Sequence, residues 1–435
     1  MGRLRAILVV CLGMLAAPAL ASASQPAIGG SPATAVTHRA GLGRKALRHA
    51  LSRDLGKISG RDGAYVVDLT AHRQLFAVNP SKGRLPASVQ KLYTTSTALL
   101  RLGPSAVLTT SVLGAGQLTT SGTWQGTLFL RGGGDPTFGS RRFDRGVYGS
   151  GVGTTAGQLA RALRKAGVKA LAGDIRGDES RFDSLRGTPA TGYKPSFYLE
   201  GQLSALAYDR GFANASWTRF QAHPPTYAAA RFAAALKAVG VSLAPKLNIA
   251  AGKTPPGARL LAVIHSPPIS TLVRLTNTPS DDFFAEMLLK DLGASFGGAG
   301  TTAAGVAAVR RELKNHFHIK PRFDDGSGLS RRDSTSPLQV VTLLRHMAGN
   351  ADFTGSLAVA GETGTLEYEM RGTRAQGNCR GKTGTLYDVA SLAGYCTARD
   401  GHTLAFAFLL NRLTDSNYGH DVEAQMAVAL ANYAG

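Results

Sequence analysis

Val89, Leu92, Ser96, Leu99 and Leu100 share one mostly apolar stripe at helical spacing, and the stretch from Val89 to Leu100 contains no Gly or Pro. A helix is therefore expected over 88–102. Ser88, just after Pro86, would sit at its N-terminus, where free backbone N–H groups favour developing negative charge. Helical periodicity also marks 281–292 and 422–434. Elsewhere the strand signal dominates. Residues 64–69 and 74–78 read as a hairpin about 70–73, and 378–386, 389–396 and 404–410 read as a meander whose second turn is Arg399-Asp400-Gly401. Two strands from the start of the chain and three from its end predict a five-stranded antiparallel sheet flanked by helices, of mixed α/β (α+β) class. Both chain ends then lie in one domain, and the middle is inserted into it.

At 435 residues the chain is too long for one ordinary core and suggests two or three compact units. Arg3 and Arg5 precede an apolar run over 6–20, and small residues follow at Ala21-Ser22-Ala23, so 1–23 reads as a secretory signal peptide. The run is too short for a confident membrane span, and no transmembrane anchor is expected after signal cleavage. A flexible Ala/Ser/Pro/Thr lead over 24–43 follows. The expected division beyond it is a catalytic domain in two segments, 44–104 and 265–435, around an inserted domain over 105–264. The formal net charge of +21 comes without any nucleic-acid-binding signature. For an exported chain, anionic wall polymers are the expected polyanionic partners and nucleic acid is not.

Loss of the signal leaves two cysteines, Cys379 and Cys396. If 382–386 and 389–395 form a hairpin about Tyr387-Asp388, Leu386 opposes Val389, and the same register sets Cys379 opposite Cys396. Opposed residues lie about 4.5–5.5 Å apart at Cα, which suits a disulfide. The alternative is two buried free thiols.

Three short motifs carry the chemistry. Ser88-Val89-Gln90-Lys91 places a hydroxyl and an amine on one helix face, and a serine nucleophile without a histidine base needs such an amine to take its proton. Ser280-Asp281-Asp282 reads by itself as an N-cap with acidic first-turn residues. Lys382-Thr383-Gly384-Thr385 reads by itself as a turn between strands. Taken together and in this order, they match S-x-x-K, S-D-N and K-T-G of the serine enzymes that react with penicillin. Other signals fade beside them. Gly293-Ala294-Ser295-Phe296-Gly297 fits a nucleophile elbow, but a helical pattern precedes it where a strand is needed. His316-Phe317-His318 lacks the further ligands of a metal site.

The resemblance extends to phrases with no catalytic role, including Gly132-Gly133-Gly134-Asp135-Pro136-Thr137, Gly173-Asp174-Ile175-Arg176-Gly177-Asp178 and Asp325-Gly326-Ser327-Gly328-Leu329-Ser330-Arg331. From about Gly63 onward the chain resembles the class C low-molecular-mass penicillin-binding proteins, the D-alanyl-D-alanine carboxypeptidase/endopeptidase family. That resemblance implies a penicillin-binding transpeptidase-like domain with a mostly β insert, peptidoglycan stem peptides as substrate, β-lactams as inhibitors, no metal or cofactor, and a secreted or periplasmic location in the cell-wall space. It implies Ser88 as nucleophile, Lys91 as base and Ser280 as proton relay, with Asp282 and Lys382 completing the catalytic set. Thr383, Gly384 and Thr385 would meet the substrate's end. Backbone N–H groups of Ser88 and Thr385 would form the oxyanion hole. Arg331 and Tyr387 match two positions of the family's side-chain pocket, whereas Lys194 or its neighbours fall where its acidic residue is expected. Asp282 departs from the usual Asn, since an ionised carboxylate only accepts hydrogen bonds. A degenerate wall-peptide binder and a serine β-lactamase are the alternative readings.

Overall fold

The computed structural model describes residues 41–435 apart from Ser59 and Ser150. The signal peptide expected over 1–23, and the lead up to residue 40, lie outside the described residues. Among the described residues no helix is long and apolar enough to cross a membrane.

The last strand, Thr403–Asn411, shows how the main sheet is built. Leu404, Phe406, Phe408 and Leu410 point into one core and Ala405, Ala407 and Leu409 into another, as the period of two requires for a strand covered on both faces. The first core joins the sheet to the helices Arg44–Leu55 and Ser416–Ala431. The second joins it to Lys91–Arg101, Ile269–Asn277, Asp282–Phe296, Thr302–His316 and Pro337–Met347. Each large apolar side chain buried here contributes about 1.5–3 kcal/mol against exposure. The sheet is thus the middle of a three-layer sandwich.

Its strands run in the order Ala358–Val359, Cys379–Leu386, Val389–Thr397, Thr403–Asn411, Arg61–Asp68, Arg73–Val78, all antiparallel. The expected five strands are present, and the count is corrected to six. The addition is the two-residue edge strand Ala358–Val359, paired with Gly381 and Arg380, which is too short to show any alternation in sequence. In the hairpin, Leu386 faces Val389 and Cys379 faces Cys396. The two cysteines are joined by a disulfide with their Cα atoms 4.1 Å apart. Closing a loop of this size contributes about 3 kcal/mol.

Residues 109–265 build a second, seven-stranded sheet. Its long hairpin, Thr109–Leu118 with Thr123–Gly132, is antiparallel, but Ala170–Ala172, Ile175–Asp178, Ser242–Leu243 and Ile249–Ala251 add to it in parallel. Parallel neighbours need crossovers, and here the helices Ala156–Lys165 and Pro224–Ala238 supply apolar faces to a core centred on Trp124, Leu128 and Phe232. This region is accordingly richer in helix than a simple β insert.

Candidate active site

Ser88 lies in a 3₁₀ turn, Ala87–Gln90, that runs directly into the helix Lys91–Arg101. Ala87 holds φ 46° and Ser280 φ 70°, left-handed values that side-chain-bearing residues rarely adopt and that cost of the order of 1–3 kcal/mol each. The turn is clasped by two glycines. A Cβ on Gly328, itself at φ +89°, would stand 1.9 Å from the Ala87 carbonyl oxygen, and one on Gly384 would stand 2.9 Å from the Ser88 nitrogen. Neither position has room for a side chain. Gly384 therefore brings the edge of the Cys379–Leu386 strand against the N–H of Ser88.

Lys91 is fully buried and donates to Ser88 Oγ at 2.7 Å, to the Ser327 carbonyl oxygen at 2.9 Å and to Asp282 Oδ1. Three acceptors saturate the three N–H bonds of an ammonium. Lys382, also fully buried, donates to Ser280 Oγ at 2.7 Å and to its neighbour's Thr383 carbonyl at 2.8 Å. Burial first, and then the charge of Lys91, hold the Lys382 amine well below the usual lysine range, with Asp282 opposing. Burial drives the Asp282 carboxyl upward against the pull of Lys91 and Lys382, and Asp281 adds to the rise. The structure thus brings Ser88, Lys91, Ser280, Asp282 and Lys382 together as two hydroxyl–amine pairs built on buried lysines, with the Asp282 carboxyl in contact with Lys91 and within electrostatic reach of Lys382.

The phrase Asp325-Gly326-Ser327-Gly328 has a supporting part that its sequence did not disclose. Glu286, fully buried on the Asp282–Phe296 helix, accepts from the N–H groups of Gly326 at 2.9 Å and Ser327 at 2.8 Å. Asp325 accepts from Gly328 and Ser330, both at 2.8 Å. These four bonds fix the loop whose Ser327 carbonyl meets Lys91. Burial, reinforced by Asp325, pushes the Glu286 carboxyl up to about 8.

Asp281 caps the same helix by accepting from Phe284 N at 2.8 Å and pairs with the buried Arg210 of the inserted region. Arg210 also lies 3.8 Å from Glu200, an acid whose charge couples to Asp281, Asp282 and Lys91. Glu200 is therefore an acidic residue of the insert that faces the motifs, whereas Lys194 is exposed. Glu200 stands in a left-handed conformation at φ 59°.

On the Cys379–Leu386 strand, Thr383 Oγ1 donates to Thr365 Oγ1 at 2.8 Å, and Thr385 Oγ1 pairs with His420 Nε2 at 2.7 Å. Arg331 forms a two-pronged pair with Asp388 at 2.7 and 3.1 Å, bridging the glycine loop to the hairpin turn, and the Tyr387 side chain beside it is 91% exposed. Among the described residues, no hydrogen bond or ion pair links Arg331 or Tyr387 to the Ser88 network.

Comparison with known proteins identifies a family for the chain. The profile of the D-Ala-D-Ala carboxypeptidase 3 (S13) family matches residues 45–222 and 196–433. The chain belongs to that family. It is thereby a serine-type D-Ala-D-Ala carboxypeptidase, and the resemblance to the class C penicillin-binding proteins holds over nearly the whole described chain. A D-alanyl-D-alanine carboxypeptidase of Actinomadura sp. (strain R39) is 28% identical over 464 aligned residues, covering 86% of this chain and 81% of that protein. Carboxypeptidase Rv3627c of Mycobacterium tuberculosis (strain ATCC 25618 / H37Rv) is 29% identical over 378 residues, covering 83% and 78%. Among solved structures, penicillin binding protein 4 (dacB) from Haemophilus influenzae superposes with a TM-score of 0.73 at 21% identity, covering 88% of this chain and 98% of that one. The S13 fold is therefore shared well beyond the three motifs.

Proposed function

We propose that this S13 enzyme is exported to the cell-wall space, trims or cleaves peptidoglycan stem peptides through an acyl-Ser88 intermediate, and is acylated by penicillins at the same residue. The observation that carries the reading is the 2.7 Å contact of Lys91 Nζ with Ser88 Oγ, next to a second amine–hydroxyl pair of Lys382 and Ser280. Ser88 Oγ attacks the carbonyl of the penultimate D-alanine while Lys91, as the neutral amine, takes its proton. The tetrahedral oxyanion is met by the N–H groups of Ser88 and Thr385, each worth about 3 kcal/mol in such sites. The packing of Gly384 against Ser88 N supports that placement. The C–N bond then breaks as Ser280, hydrogen-bonded to Lys382, passes its hydroxyl proton to the departing amine, and the proton that Lys91 took from Ser88 replaces it on Ser280. Water cleaves the resulting ester. Lys382, Thr383 and Thr385 receive the terminal carboxylate, so a free C-terminus supports carboxypeptidase work and the free carboxyl end of a cross-link supports endopeptidase work. Arg331, Tyr387 and Glu200 are the residues available for the side chain of the stem peptide.

Asp282 favours a second reading, a binder that no longer hydrolyses, because its carboxyl engages the Lys91 amine that must take the Ser88 proton. The two readings separate on release of D-alanine from a peptide ending in D-Ala-D-Ala. Steady release by the native enzyme, abolished in Ser88→Ala, is expected. Binding of the peptide with no release would establish the second reading.

A further inference from the structure

The Ser416–Ala431 helix carries a polar pair that the three motifs do not include. His420 Nδ1 meets Glu423 Oε2 at 3.0 Å, and His420 Nε2 meets Thr385 Oγ1 at 2.7 Å. The chain of contacts runs from a buried carboxylate, through an imidazole, to the hydroxyl of the last K-T-G-T residue. It lines a cavity of about 180 Å³ with Thr365, Glu369, Thr383 and Thr385.

Hydrogen bookkeeping gives this chain a function. One proton lies between Nδ1 and the Glu423 carboxylate in any state that keeps their 3.0 Å contact. When that is the only proton on the pair, Nε2 bears a lone pair, so Thr385 must donate its hydroxyl hydrogen to the ring. It then presents only lone pairs to an approaching carboxylate. When the pair holds a second proton, Nε2–H donates to Thr385 Oγ1, and the hydroxyl hydrogen is released for another acceptor. We propose that His420 is a positioning residue for the substrate's terminal carboxylate, acting through Thr385: the doubly protonated His420–Glu423 pair frees the Thr385 hydroxyl hydrogen to bind it. This rests on the reading of Thr385 as a carboxylate-binding residue.

The charged groups facing His420 are Glu423 and Asp421 on its own helix and Glu369 across the cavity. Burial disfavours the charged ring, but the hydrogen bond and charge of Glu423, with Glu369 and Asp421, outweigh it and raise the His420 value above 6.5. Burial likewise raises Glu423, to about 7. The binding-competent state therefore prevails on the acid side and is lost as pH rises.

The test is a comparison of KM and kcat for a D-Ala-D-Ala peptide across the neutral range in the native enzyme, His420→Gln and His420→Phe. For the native enzyme, KM should rise about tenfold or more with pH, the loss of one hydrogen bond to a charged group. In His420→Gln the amide is a donor at every pH, so KM should stay low and flat; in His420→Phe it should be high and flat. A Gln profile that follows the native one, or a Phe variant that keeps the low KM on the acid side, overturns the proposal. Nitrogen-15 imidazole spectra of the native enzyme with a penicillin-derived acyl group on Ser88 give a readout independent of the variants. A protonated Nε2 on the acid side is expected, and a bare Nε2 there overturns the role. Failure of penicillin to label Ser88 would instead overturn the serine-enzyme reading itself.

Discussion

Asp282 is the residue on which the chemistry of this enzyme turns most sharply. In the usual motif its place is held by an amide, which both donates and accepts, whereas the carboxylate here touches Lys91 directly. The carboxyl competes with Ser88 for the Lys91 amine and holds the group that must take the Ser88 proton. The expected consequence is slow acylation by penicillin. Asp282→Asn should speed penicillin acylation at neutral pH by about tenfold, the effect of roughly 1.4 kcal/mol of differential interaction. Stopped-flow acylation rates of the two proteins check this. An unchanged or slower Asn variant would mean that the carboxylate belongs to this enzyme's own proton path. At this scale the sequence was highly informative for Ser88, Lys91, Ser280, Asp282 and Lys382, because each sits in a motif of fixed spacing. It was silent on Glu286, Arg210, Glu200 and His420. Each reaches the site by tertiary packing, and a lone Glu or His on an amphipathic helix looks the same whether it supports a site or faces solvent.

Among the elements, the glycine loop 325–330 is held by carboxyls that titrate near neutrality. Its N–H groups are held by Glu286 and Asp325, and burial raises both carboxyls, to about 8 and about 6. A carboxyl whose value is higher in the folded than in the unfolded chain contributes stability below its unfolded value and loses it as pH rises through the folded one. For Glu286 that window runs from 4.5 to about 8. The native enzyme should therefore lose stability as pH rises through this window, and Glu286→Gln should flatten the dependence. Urea unfolding at stepped pH measures it, and an identical slope in both proteins would contradict the assignment. The five principal strands were legible from alternation, and the register about Tyr387-Asp388 followed from counting residues. The sixth was not, since two residues carry no period. The helix expected over 88–102 begins instead as a 3₁₀ turn, against which Gly328 and Gly384 pack closely.

Over the whole molecule, one sheet collects strands from both ends of the chain, and its Cys379–Leu386 strand presents K-T-G-T to the turn that carries Ser88. Residues 109–265 form the other sheet and were the least legible in sequence. Their parallel strands are two to four residues long, and each gains its place from partners dozens of residues away rather than from any pattern of its own. The central claim, that the three motifs form one serine-acylating site, is tested most directly by mass spectrometry of the enzyme after exposure to penicillin. One covalent adduct mapped to Ser88 and absent from Ser88→Ala is the predicted result. An adduct on another serine, or labelling that survives in Ser88→Ala, would contradict it.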